Sequence, residues 1–173
     1  MKKLLGVLLV LGCVVFLSPG CYTLKSTTIP PELKTINIGF FENNAQLVVP
    51  TLAQQFTEAL KDRVRTTTRL SVVNNEANAT MTGAIVDYRI APFSIQATNN
   101  NVAPIAGASQ LTISVHVKFV YSGEKPSEKM SFDQNFSKSE TFTGDIAASE
   151  QTLIAKINKE LVDDIINKAF DNW

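Results

Sequence analysis

The sequence predicts an α+β domain: a two-layer sandwich with two helices packed on one face of a mixed, mainly antiparallel sheet. Three observations predict it. Two segments repeat apolar residues at helical spacing, and the longer of them closes the chain. Between them lie long runs that alternate apolar and polar residues, the mark of strands buried on one side only. Two amphipathic helices and a one-sided sheet hide their apolar surface most simply by meeting each other.

The N-terminus stands apart from this domain. Met1-Lys2-Lys3, the apolar run Leu4 to Leu17, and Ser18-Pro19-Gly20 before Cys21 form the pattern of a secretory signal peptide over residues 1–20. The run is shorter than the ~20 residues of a spanning helix. Both cysteines of the chain, Cys13 and Cys21, lie in this zone, so no disulfide or thiolate metal site is expected beyond it. A small residue before a lone cysteine, after an apolar run, resembles the bacterial lipobox, and Cys21 is the expected lipidation site. Ser18 stands where a lipobox carries Leu, and Val10-Leu11-Gly12-Cys13 is a competing site with a much shorter apolar core. Removing the residues before Cys21 takes Lys2 and Lys3 and no acid, leaving 14 basic against 16 acidic side chains. That balance speaks against a nucleic-acid partner, which needs a concentrated basic excess.

Residues 21–34 read as a lipidated start and an extended tether, since Pro30-Pro31 fixes the backbone and withholds two N–H groups. The domain proper is expected over 35–173. Thr35 to Phe41 alternates as a strand, and Glu42-Asn43-Asn44 has turn chemistry. Thr51 to Arg65 carries the stripe Leu52, Phe56, Ala59, Leu60 and Val64, and Thr51 with Gln54 forms a capping-box pattern. Arg69 to Val73 is a short strand, parallel to the first by the crossover rule. In Thr80 to Ile90, Ala84, Val86, Tyr88 and Ile90 share one face. In Gln110 to Tyr121, apolar Leu111 through Tyr121 alternate with Thr112, Ser114, His116 and Lys118. A last strand covers Lys129 to Phe142, with Phe132 and Phe136 opposite Asp133 and Asn135. The closing helix, Ser149 to Asp171, presents Leu153, Ile157, Leu161, Ile165 and Ala169, and Gly144-Asp145 leads into it.

Chemistry-bearing motifs are missing from this pattern. The single histidine, His116, sits on the polar side of its strand, with no second His, thiol or acidic pair at metal-binding spacing. No phosphate loop, dinucleotide fingerprint, zinc-protease helix or nucleophile elbow occurs. Asp163-Asp164 point in different directions on a helix and read as surface charges. The expectation is a protein that is not an enzyme and needs no cofactor or metal. The segment Thr98 to Ser109 reads as a hairpin loop whose Asn100, Val102, Pro104 and Ile105 are candidates for touching a partner.

Several segments carry a resemblance. The tether Ile29-Pro30-Pro31, the strand Ile36 to Asn43, the helix segment Phe56 to Asp62, Gly83-Ala84-Ile85-Val86-Asp87-Tyr88 and the ending Asn172-Trp173 resemble the LPS-assembly lipoprotein LptE family. Cys21-Tyr22-Thr23-Leu24 is similar to the family's opening, without its usual Gly after the cysteine. The likeness covers nearly the whole mature chain, and its motifs are structural.

The resemblance implies an outer-membrane lipoprotein carrying acyl chains such as palmitate on Cys21. It implies a plug that helps assemble an LptD-type β-barrel and passes lipopolysaccharide to the cell surface. Tyr22 rather than Asp after the cysteine agrees with outer-membrane sorting. The family's lipopolysaccharide contacts do not map position by position. On first principles, phosphates favour Arg89 and Lys118 on the polar sheet face and Lys125 and Lys129 in the turn between the last strands. A lipoprotein regulating a peptidoglycan synthase is the alternative, and it calls for a longer linker.

Overall fold

The computed structural model describes residues 29–96, 105–122 and 131–170, with the backbone alone for 94–96, 105 and 106. Among these residues six strands form one open sheet, β1 (Thr35–Ile38), β2 (Glu42–Asn43), β3 (Ser71–Val73), β4 (Ala79–Gln96), β5 (Ile105–Tyr121) and β6 (Phe132–Phe142). Two helices, α1 (Leu52–Thr67) and α2 (Glu150–Phe170), complete the fold, the second entered through a 3-10 turn at Ile146–Ala148. The order across the sheet is β3-β1-β4-β5-β6, with β2 also beside β4. β1 is parallel to β3 and β4, and the β4–β5 and β5–β6 pairs are antiparallel. The mixed sheet and the two helices match the expected architecture, including the parallel β1–α1–β3 unit.

Apolar residues at helical spacing decide where both helices sit. Leu52, Phe56, Leu60 and Val64 of α1 are buried, as are Leu153, Ile157, Leu161 and Ile165 of α2. They close over Ile36, Met81, Ile85, Ile113, Val115, Val117 and Phe119 of the sheet in one core. Aromatic rings lock its two ends, Phe41 edge-on to Phe56 with centroids 5.2 Å apart, and Phe119 edge-on to Phe170 at 5.8 Å. The helices run side by side in the same direction, since Gln55 meets Gln151 near their starts and Arg63 meets Asp163 further along.

Five expectations are corrected. Ala84 and Val86 do not join Tyr88 on the inner face: a bulge between Ile85 and Asp87 inserts one residue, so Met81 and Ile85 point inward, Ala84 lies beside His116 on the other face, Val86 is exposed, and Tyr88 is inward again. Ile90 shares Tyr88's face but lies partly uncovered. Glu42-Asn43 is not a turn but a short strand parallel to β4, opposite Ala84 and Ile85. The predicted loop 98–109 is too long, because β5 already begins at Ile105, paired with Gln96, and ladder bonds outweigh the turn preference of Gly107 and Ser109. Thr51 stands at the N-cap of α1, but its side chain makes no capping bond, so the capping box does not form. Leu33, read as tether, is buried in the core.

The link 74–78 has no counterpart in the sequence reading. It carries the chain from β3 across to the other side of β1, and side chains hold it there. Asn78 Oδ1 accepts from the Lys34 N–H, the Thr35 N–H and the Thr35 hydroxyl at 3.0–3.2 Å, while Asn37 donates to the Asn75 carbonyl at 3.0 Å.

Candidate functional site: the helix-free sheet face

With both helices on one side, the other face of the sheet carries the polar members of each alternating strand. Strand register sets them in rows. Thr112 of β5 lies between Arg89 and Ser139, Ser114 between Asp87 and Ser137, His116 between Ala84 and Asn135, and Lys118 between Thr82 and Asp133. Side chains bond along these rows. The Thr112 and Ser139 hydroxyls are 2.8 Å apart, and Ser114 donates to Ser137 at 2.9 Å. Cross-strand hydroxyl pairs of this kind add modestly to sheet stability, about 0.2–1 kcal/mol each.

His116 occupies the middle of this face. Its Nδ1 lies 2.9 Å from Asn135 Oδ1 and its Nε2 3.0 Å from Asp133 Oδ1, so the ring is held between two β6 side chains. Polar strand neighbours absorb both ring nitrogens, as the reading of a strand-surface histidine anticipates. Among the described residues no group of three His, Cys, Asp or Glu is placed to hold a metal ion.

Of the cations singled out in the sequence, Arg89 and Lys118 are exposed on this face. The register does not bring them together. Their rows lie six β5 residues apart, roughly 20 Å at the ~3.3 Å rise of a strand. Lys125 and Lys129 lie outside the described residues, as do Cys21, Cys13, Asn100, Val102 and Pro104. Ile105 is described by its backbone only, at the start of β5.

The opposite, helical side is fastened by charge. Asp163 receives Arg63 of α1 at 2.9 Å and Lys159 at 3.2 Å, and Asp164 pairs with Lys138 of β6 at 2.9 Å. Lys156 reaches Glu140 at 2.7 Å. These carboxylates hold the Lys138 and Lys156 amines above the ordinary lysine range. The neighbours Asp163 and Asp164, read from sequence as surface charges, thus face two different elements. Between α1 and α2 runs a cleft of about 450 Å³, bordered by Ala59, Ala155, Val162 and Asn158. Among the described residues, the buried Oδ1 of Asn158 has no hydrogen-bond partner.

Two further features were missed by sequence reasoning. The Tyr88 hydroxyl donates to Glu150 Oε1 at 2.7 Å, tying β4 to the first residue of α2. Burial, and then the Glu150 carboxylate, push this phenol well above the usual tyrosine range. Only the bulge at Val86 turns Tyr88 inward, and no local signal marks a bulge. Thr57, inside the stripe of α1, accepts from the Phe41 N–H at 3.1 Å while donating to the Ala53 carbonyl at 2.8 Å. No helix among the described residues is long and apolar enough to cross a membrane.

Comparison with solved structures includes one that shares this kind of fold. The protein CT253 of Chlamydia trachomatis superposes with a TM-score of 0.52 at 10% identity, covering 79% of this chain and 97% of that one. A minor lipoprotein from Acinetobacter baumannii gives 0.46 at 14% identity, covering 79% and 91%. Lipoprotein B of Nitrosomonas europaea gives 0.47 at 16%, covering 78% and 80%. No match was found among the curated proteins. A family model is decisive where these likenesses are not: the one described as "LptE: Lipopolysaccharide-assembly" matches residues 33–169, from buried Leu33 to the last turn of α2, and the chain belongs to that family.

Proposed function

We propose that this protein is an outer-membrane lipoprotein, anchored through Cys21, that works without catalysis inside an LptD-type β-barrel. There it plugs the lumen, helps the barrel assemble, and assists lipopolysaccharide transport to the cell surface. The observation that carries this reading is the family match across residues 33–169, which spans nearly every described element. The helix-free face supports it physically. The lumen of a large outer-membrane barrel is polar, and the hydroxyl, amide and imidazole groups of β5 and β6 on this face can hydrogen-bond to such a wall. Arg89 and Lys118, with Lys125 and Lys129, are the proposed phosphate contacts. Asn100, Val102 and Pro104, with Ile105 at the start of β5, are proposed to touch the barrel.

The test begins with the full-length protein in its own membrane. Solubilised outer membranes are expected to yield it with a large barrel protein, and Cys21→Ser is expected to abolish acyl labelling and release it from the membrane fraction. Recovery without a barrel protein, or with a peptidoglycan synthase instead, would defeat the reading.

A further inference from the structure

One edge of β4 is occupied in sequence, by β1 at Ala79–Met81 and then by β2 at Ala84 and Ile85. The last bond there runs from the Asn44 N–H to the Ile85 carbonyl at 2.8 Å. Beyond that point β4 continues to Gln96, and among the described residues its partner is β5 alone, on the other edge.

Main-chain groups of a strand alternate between its two edges. Met81 and Ile85 turn their carbonyls toward Gly39 and Asn44, so Thr80, Thr82 and Ala84 face β5. The inserted Val86 resets this order. After it, Asp87, Arg89 and Ala91 face β5, opposite Ser114, Thr112 and Gln110, which leaves Tyr88 and Ile90 directed to the open edge. Pro92, with no N–H to offer, ends the run, as prolines do on edge strands. At its two ends Val86 is 42% and Phe93 61% exposed.

Water can satisfy such groups one at a time. What matches them in a row, with apolar side chains on either end, is another extended chain. We propose that the β4 edge from Val86 to Pro92 receives an extended segment of the barrel partner as an added strand, in the slot that follows β1 and β2. This rests on the partnership proposed above. The segment carries apolar residues at alternate positions and an acidic residue opposite Arg89. A second copy of this chain fits worse. The twofold register that uses the edge-facing N–H groups of Tyr88 and Ile90 in both copies places Arg89 directly opposite Arg89, and like charges so placed are destabilising.

Residue-resolved hydrogen exchange on the full-length lipoprotein, alone and in the complex purified from outer membranes, tests this. In the complex the Tyr88 and Ile90 amides are expected to slow at least tenfold, with Arg89 and Ala91 slow in both states. A complex in which Tyr88 and Ile90 exchange unchanged overturns edge pairing and leaves the partnership standing. Absence of any barrel protein overturns both. Slowing in the isolated lipoprotein that vanishes on dilution points to a second copy and overturns the proposal. The pair Val86→Lys and Phe93→Lys, at exposed positions, is expected to cut barrel recovery at least tenfold with the thermal midpoint unchanged. Full recovery from this folded variant also overturns the proposal.

Discussion

Gly83 lies where β4 is crowded from two sides, and a Cβ added there would overlap the His116 carbonyl oxygen of β5 and the Phe41 ring. Neither neighbour can step aside, because one is ladder backbone and the other a fully buried ring. Gly83→Ala is expected to destabilise the domain by about 1–3 kcal/mol, the usual cost of overpacking, measured by urea unfolding. Thr57 makes the converse case, a polar group placed inside an apolar stripe. Thr57→Val keeps its shape but strips the Phe41 N–H of its acceptor, at an expected cost of about 1–3 kcal/mol, which Thr57→Ser restores in large part. Asn158 is polar and buried, and its Oδ1 finds no partner among the described residues, so Asn158→Leu is expected to raise stability by about 1 kcal/mol. A fall in the unfolding midpoint would mean that the amide holds something essential. Sequence shows Thr57 and Asn158 as interruptions in apolar stripes. It does not show that one is satisfied and the other is not, because both answers depend on a neighbour many residues away.

At the scale of elements, the Tyr88–Glu150 bond joins a strand to a helix start. Its phenol is raised in the folded state, so its contribution is fully present below the unfolded tyrosine pKa of about 10 and fades as pH rises above it. Tyr88→Phe is expected to cost about 1–2 kcal/mol at pH 7 and to flatten the fall in stability between pH 9 and 11, followed by chemical unfolding across that range. An unchanged alkaline slope would assign the sensitivity elsewhere. Both helices were legible to within a residue or two at their ends, since a stripe of Leu, Ile and Phe at helical spacing has one way to bury itself. Strand interiors were legible for β5, where apolar residues fill every second position from Leu111 to Tyr121, and for β6 at Phe132 and Phe136. β4 was not, because a period of two read past a bulge reverses every later side chain. The link 74–78 was equally hidden, since it is held by its own Asn78 bonding to Thr35 of β1, 43 residues away in the chain.

For the whole molecule, the helix-free face is where function is expected. Arg89→Glu combined with Lys118→Glu is expected to lower lipopolysaccharide recovered with the purified protein severalfold, with unfolding behaviour unchanged. Equal recovery would remove both residues from the proposed contacts. The two lie roughly 20 Å apart, so each single variant is expected to have a smaller, additive effect. How far this site could be read in advance follows from what it is made of. Its polarity was visible as Thr112, Ser114, His116 and Lys118 in alternation. The cross-strand rows were not, because they require the register of β6 against β5.

By itself the sequence determined which residues turn inward along each regular helix and strand, and therefore the two-layer plan and the polarity of the open face. Burial is a preference each side chain carries with it, and helical or strand spacing turns that preference into a face. Only the tertiary structure decided the strand order, the bulge at Val86, the clasp of His116 by Asn135 and Asp133, and the open stretch of β4. Each of these depends on residues far apart in the chain meeting in one register, and no local pattern contains that meeting.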